Sequence, residues 1–88
     1  MNIVIERITP CLAELEKIRF IASIDEDISE FLPYLNRIIP GVIYNHKNNT
    51  MTIMKEGRII TIYPTKIAGG KIIDEKDANE IIKWIKKI

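Results

Sequence analysis

Cys11 carries the most reactive side chain in the sequence, and its place directly after Pro10 suits a loop that presents a thiolate to a metal or a partner. The plainer reading is a small buried hydrophobe, since lone cysteines are among the most buried residue types. His46 is the single histidine. Pairing it with Cys11 would need tertiary proximity, and a solvated imidazole in a hairpin turn is the simpler expectation. Carboxylates cluster at Asp25, Glu26, Asp27 and Glu30, and again at Asp74, Glu75 and Asp77. Both runs stand where helices are expected to begin, so unpaired amides and the helix dipole explain them without catalysis or a divalent cation. Gly69 and Gly70 precede the second run, but the acids there would repel a phosphate, and neither a Walker nor a G-x-G-x-x-G pattern occurs. No constellation for catalysis emerges. The chain is expected to be non-enzymatic and without a cofactor, with Cys11 the one candidate metal ligand.

The frame that must position these groups is small. Its 88 residues allow one domain, 1–88, in which residues 1–11 form an N-terminal strand or arm. Apolar residues make up 47% and charged ones 28%, a globular mixture that argues against wholesale disorder. Thirteen basic against twelve acidic residues leave +1, so a globally basic surface for nucleic acid or acidic membranes is excluded. The halves differ: residues 1–44 carry four basic and seven acidic side chains, and residues 45–88 carry nine and five. Ile is about a quarter of the sequence while Val occurs only at Val4 and Val42, a skew that points to a thermophile. One cysteine rules out an intramolecular disulfide and fits a reducing compartment. No apolar run approaches the length of a membrane span and the start shows no signal-peptide pattern, so a cytoplasmic protein with no membrane association is expected.

Residues 3–8 form a short β-branched run that Pro10 should halt, an edge strand or arm. A helical turn through Leu12 and Leu15 is expected within residues 11–17. From Ile18 the period becomes two, with Ile18, Phe20, Ala22 and Ile24 on one face of a strand. Asp27 and Glu30 have the spacing of a capping box, so a helix should follow, with Ile28, Phe31, Leu32, Leu35, Ile38 and Ile39 as its buried stripe. Pro33 should bend or tighten its first turn, and Pro40 and Gly41 should end it. Residues 42–46, 51–55 and 58–63 read as an antiparallel meander, joined by a polar segment around Asn48 and Asn49 and by the tight Glu56-Gly57 turn. Residues 67–73 add a further edge strand, where Gly69 and Gly70 allow a bulge or corner. Asp74 should cap a last helix with Ala78, Ile81, Ile82, Ile85 and Ile88 as its apolar stripe.

The expected fold is therefore α+β: a two-layer sandwich in which an antiparallel sheet of four to five strands carries two helices on one face. By alternation the other face should display Arg19, Ile21, Ser23, Thr50, Thr52, Met54, Ile59, Thr61 and Tyr63. That is too apolar a set for a surface left to water, so a second copy of the chain or a protein partner should cover it. Trp84, at the border of the last helix's stripe, is either edge packing or an interface anchor.

The stretches Ile8-Thr9-Pro10-Cys11, Lys17-Ile18-Arg19-Phe20-Ile21-Ala22, Asp27-Ile28-Ser29-Glu30, Leu32-Pro33-Tyr34-Leu35-Asn36, Pro40-Gly41-Val42-Ile43-Tyr44-Asn45 and Gly57-Arg58-Ile59-Ile60-Thr61-Ile62-Tyr63-Pro64 form a set. Together they resemble the N-terminal domain of uncharacterised iron-sulfur proteins of methanogens and other anaerobes. Around residues 13–16 the sequence departs from the shorter turn of that family. Longer members continue into a Cys-rich segment that binds a 4Fe-4S cluster, which needs four thiolates where one is present here. The resemblance thus implies an iron-sulfur or redox protein as a partner in trans and transfers no reaction. The element order also resembles one half-repeat of the TATA-binding-protein fold, whose shared sheet presses on the DNA minor groove. Arg19 is the single arginine foreseen on the candidate face, so nucleic acid is disfavoured as a partner. The expected function is an interaction module that dimerises or docks through Arg19, Ile21, Thr52, Met54, Ile59, Thr61, Tyr63 and Trp84.

Overall fold

Alternation of β-branched and polar residues builds six strands, and the computed structural model describes residues 1–12 and 14–88. The strands are β1 (Ile3–Pro10), β2 (Ile18–Ile24), β3 (Val42–Asn45), β4 (Thr50–Lys55), β5 (Arg58–Ile62) and β6 (Lys66–Ile72). Helix α1 (Leu32–Ile38) stands between β2 and β3, and α2 (Glu75–Lys87) follows β6. All neighbours pair antiparallel in one sheet of order β1-β2-β6-β5-β4-β3. The class is α+β as expected, but six strands replace four to five. Two pairings explain the difference: β1 runs alongside β2 as far as Pro10, and β6 inserts between β2 and β5 instead of lying at an edge.

One face of the sheet carries the core. Phe20, Ala22 and Ile24 of β2, Ile67 and Ile72 of β6, Ile60 and Ile62 of β5, and Met51 and Ile53 of β4 pack with Leu32 of α1 and with Ala78, Ile81, Ile82 and Ile85 of α2. Both helices therefore lie on the same side. Gly69 belongs to this face, opposite Phe20 and Ile60 in register. A β-carbon at Gly69 would overlap the Phe20 ring, so only glycine lets that ring lie flat on the sheet. The expected irregularity is here: the β2–β6 register shifts between Ile18 and Phe20.

Helix α1 corrects the sequence reading. The capping box does not form; Asp27 accepts from the Ser29 amide at 2.8 Å in a local turn, and the residue preceding the helix, Phe31, has no side-chain cap bond. Ile28 is buried from a loop, its amide donating to the Pro64 carbonyl at 2.8 Å. Pro33 lies in the first turn and starts the helix instead of bending it, because its fixed φ suits that position and its missing donor costs nothing there. The shortened helix buries Leu32 and half-buries Leu35 and Ile39, leaving Phe31 and Ile38 of the expected stripe exposed. Helix α2 keeps its expected start, with the Asp74 carboxylate accepting from the Asp77 amide at 2.8 Å, and Ile88 is exposed at its end.

Between β1 and β2 the expected helical turn gives way to a loop, in which the Cys11 amide donates to the Lys17 carbonyl at 2.9 Å and the Lys17 amide to that of Glu14 at 3.0 Å. Ala13, part of that expectation, lies outside the described residues. Glu56 and Gly57 both take positive φ, 50° and 83°, the geometry that lets a two-residue turn follow the twist of β4 and β5.

Candidate functional site

The sheet face opposite the helices is the surface that sequence reasoning singled out, and register locates it residue by residue. One cross-strand row reads Ile43, Thr52, Thr61, Ala68, Ile21 and Arg7, from β3 to β1. A second contains Met54 and Ile59 opposite Gly70, and Arg19 opposite Thr9. Among the described residues none of these side chains is buried, whereas the alternate positions on the same strands form the core. Met54 and Ile43 are 60% and 67% exposed. Thr52 and Thr61 face each other with hydroxyl oxygens 3.4 Å apart, which uses one donor and leaves hydrogen-bonding capacity directed outward.

Seven of the eight expected contact residues, Arg19, Ile21, Thr52, Met54, Ile59, Thr61 and Tyr63, share this face by strand parity. Trp84 does not. It packs half-buried against the core on the helix side, with the Lys55 ammonium 4.5 Å above its ring. Two basic residues that alternation had not placed on the face are there. Arg7 arrives through a register shift in β1, and Lys66, paired with Ser23, sets its ammonium 4.6 Å over the Tyr63 ring. Apart from Glu6 at that shift, no strand residue is a carboxylate. The face is thus apolar and hydroxylic at the β3–β5 end and basic at the β1–β2 end. No residue-type motif announces this; a hydrophobic–polar count that allowed a bulge before Arg7 would have found it.

The chemically suggestive residues do not assemble. Cys11 is buried at the end of β1, at one edge of the sheet, and His46 follows β3 at the other, its ring meeting Tyr44 edge-on at 4.7 Å between centroids. Among the described residues no three His, Cys, Asp or Glu side chains gather as metal ligands would. Asp77, expected only to favour a helix start, does more. Arg58 grips it in a two-pronged ion pair, Nε to Oδ2 at 2.7 Å and Nη2 to Oδ1 at 2.8 Å, and the Ile73 amide donates to it at 3.1 Å. The Arg58 hydrogen bonds hold the Asp77 carboxyl below its ordinary range and raise the guanidinium further. Ser29 likewise holds the exposed Asp27 carboxyl low. The first arrangement ties elements together, joining β5 to α2, and the second closes a local turn.

Two further features escaped the sequence reading. The brevity of α1 leaves a cavity of about 200 Å³ beside α2, lined by Ile28, Phe31, Leu35, Ile62, Ile85 and Ile88, with Glu26 and Met1 also on its wall. Leu12 and Leu15, assigned to a helical turn, instead project from the β1–β2 loop at 86% and 97% exposure. No helix among the described residues is long and apolar enough to cross a membrane. Comparison with protein-family models, curated proteins and solved structures finds no match for this chain.

Proposed function

We propose that the protein is a non-enzymatic interaction module and that its open sheet face docks on a second copy of itself. The observation that carries this reading is the row Ile43, Thr52, Thr61, Ala68 and Ile21, flanked by Met54 and Ile59, on a sheet whose two helices both lie on the other side. Apolar side chains gathered on one flat surface gain by leaving water together, and a two-fold axis makes such a surface self-complementary. An axis parallel to the strands lays the basic β1–β2 end of one copy over the apolar β3–β4 end of the other, which keeps Arg7 and Arg19 away from their symmetry mates. The resemblance to iron-sulfur domain proteins makes such a redox protein, acting in trans, the partner class for the same face if the chain docks on something other than itself. Nucleic-acid binding is the competing reading. Arg7 and Lys66 strengthen it, because the face carries three cations instead of one.

Sedimentation equilibrium tests the proposal. The expected mass is that of a dimer, and Met54→Glu, which places a carboxylate in the apolar half, should return it to a monomer while the circular dichroism stays unchanged. A native chain that is monomeric at every concentration overturns self-association. Salt-dependent retention on nucleic acid, with the same monomeric mass, would favour the competing reading.

A further inference from the structure

At the start of β1 the residues facing the helices are Ile3 and Ile5, opposite Ile24 and Ala22, and unbroken alternation would send Arg7 to that same side. The register shift between Ile5 and Arg7 prevents it. Arg7 stands opposite Ile21 and Thr9 opposite Arg19, so both arginines lie on the open face as diagonal neighbours, on the order of 7–8 Å apart at their strand positions. They frame a cleft of about 470 Å³ lined by Arg7, Thr9, Arg19, Phe20, Ile21 and Ala68. Ala68 gives the cleft its depth, being a small residue between Ile21 and Thr61 in the cross-strand row.

Two like charges side by side repel, and carboxylates nearby in sequence do not relieve them. Among the described residues neither Arg7 nor Arg19 has an ion-pair partner; Glu6 makes no such pair, and Glu14 of the adjoining loop pairs with Lys71 at 3.7 Å. Among the described residues no carboxylate lines the cleft.

We propose that this cleft binds the phosphate group of a phosphomonoester whose remaining part is small and apolar. The forked donors of guanidinium match phosphate oxygens in paired hydrogen bonds, and a dianion balances both arginines where a carboxylate balances one. Thr9 adds a hydroxyl donor at the rim. Ile21 and Ala68 supply an apolar floor for the body of the ligand. A nucleic-acid strand fits less well, because its charges are strung out, while the far half of the face, at Ile43, Thr52, Met54, Ile59 and Thr61, offers no cation. Arg19 and Ile21 belong to both this cleft and the docking surface, but the cleft stands without the docking reading; mass and ligand binding measured in the same samples report on each separately.

Phenyl phosphate titrated into the full chain should shift the amide resonances of Thr9, Arg19, Ile21 and Ala68 saturably, and should bind about tenfold or more tightly than benzoate. Arg7→Gln and Arg19→Gln, both at exposed side chains without structural partners, should keep the fold and each weaken binding about tenfold. Ala68→Leu, which fills the floor, should weaken phenyl phosphate more than inorganic phosphate. Absence of saturable shifts, or undiminished affinity in Arg7→Gln, overturns the proposal. Tighter binding of oligothymidylate or polyglutamate than of phenyl phosphate through the same amides also overturns it, in favour of a nucleic-acid or acidic-protein partner.

Discussion

The two faces of the sheet are drawn from the same strands and much the same residues, yet they behave as different materials. Ile60 and Ile59 are neighbours in β5; the first is sealed beneath the helices and the second is half-exposed on the open side. Gly69 and Gly70 make the contrast sharper. On the core side a β-carbon at Gly69 would overlap the Phe20 ring, while on the open side a β-carbon at Gly70 would meet only the Ile59 carbonyl oxygen, 3.9 Å away. One glycine is demanded by packing and its neighbour is not. The lesson is that stability resides on one face, which leaves the other free of the demands of packing.

Substitutions that treat the faces alike would break this contrast. The largest expected effect is Phe20→Ala, which empties the centre of the core and should cost about 3–5 kcal/mol in chemical denaturation, against less than about 0.5 kcal/mol for Met54→Ala on the open face. Equal losses would mean that the open face carries part of the core. Next, Gly69→Ala should destabilise by about 1–3 kcal/mol through overpacking against Phe20, while Gly70→Ala should be neutral or stabilising by a few tenths, since alanine loses less chain entropy on folding. If the two variants melted together, Phe20 would have room to move that the packing denies it.

A third test concerns the tie between sheet and helix. Asp77→Asn should cost about 1–3 kcal/mol at neutral pH, because it removes the two-pronged partner of the half-buried Arg58 guanidinium and leaves only the exposed Glu56 carboxylate, 3.2 Å from Nη1, as counter-charge. Since the folded-state carboxyl of Asp77 is held below its unfolded value, its stabilisation is fully present above the ordinary carboxylate range and is lost as pH falls through the lower folded value. The native protein should therefore lose stability toward acid more steeply than Asp77→Asn. Parallel acid limbs in the two proteins would show that another carboxylate dominates.

Much of this contrast was legible in the residue order, and the failures were local. Period two in residues 18–24 and 58–62 placed Phe20, Ala22, Ile24, Ile60 and Ile62 on one side, and Arg19, Ile21, Ile59 and Thr61, four of the eight expected contact residues, on the other, because a pleated strand can do nothing else with alternating side chains. Helix α1 was read too long, since apolar spacing does not register that Pro33 prefers a first turn over an interior. A helical wheel shows Trp84 at a border, which suits edge packing or an interface anchor, but does not show the Lys55 ammonium over its ring.

The sequence by itself determined the α+β class, the turns and the sidedness of the central strands, all of which follow from short-range sterics and the preference of apolar groups for one another. The tertiary structure alone decided that β6 lies between β2 and β5, that Arg58 clasps Asp77, and that Arg7 joins Arg19 on the open face. Those depend on pairings between distant residues and on one extra residue in β1. A single-residue shift of register inverts every side chain beyond it, and only the partner strand reveals where that shift occurs.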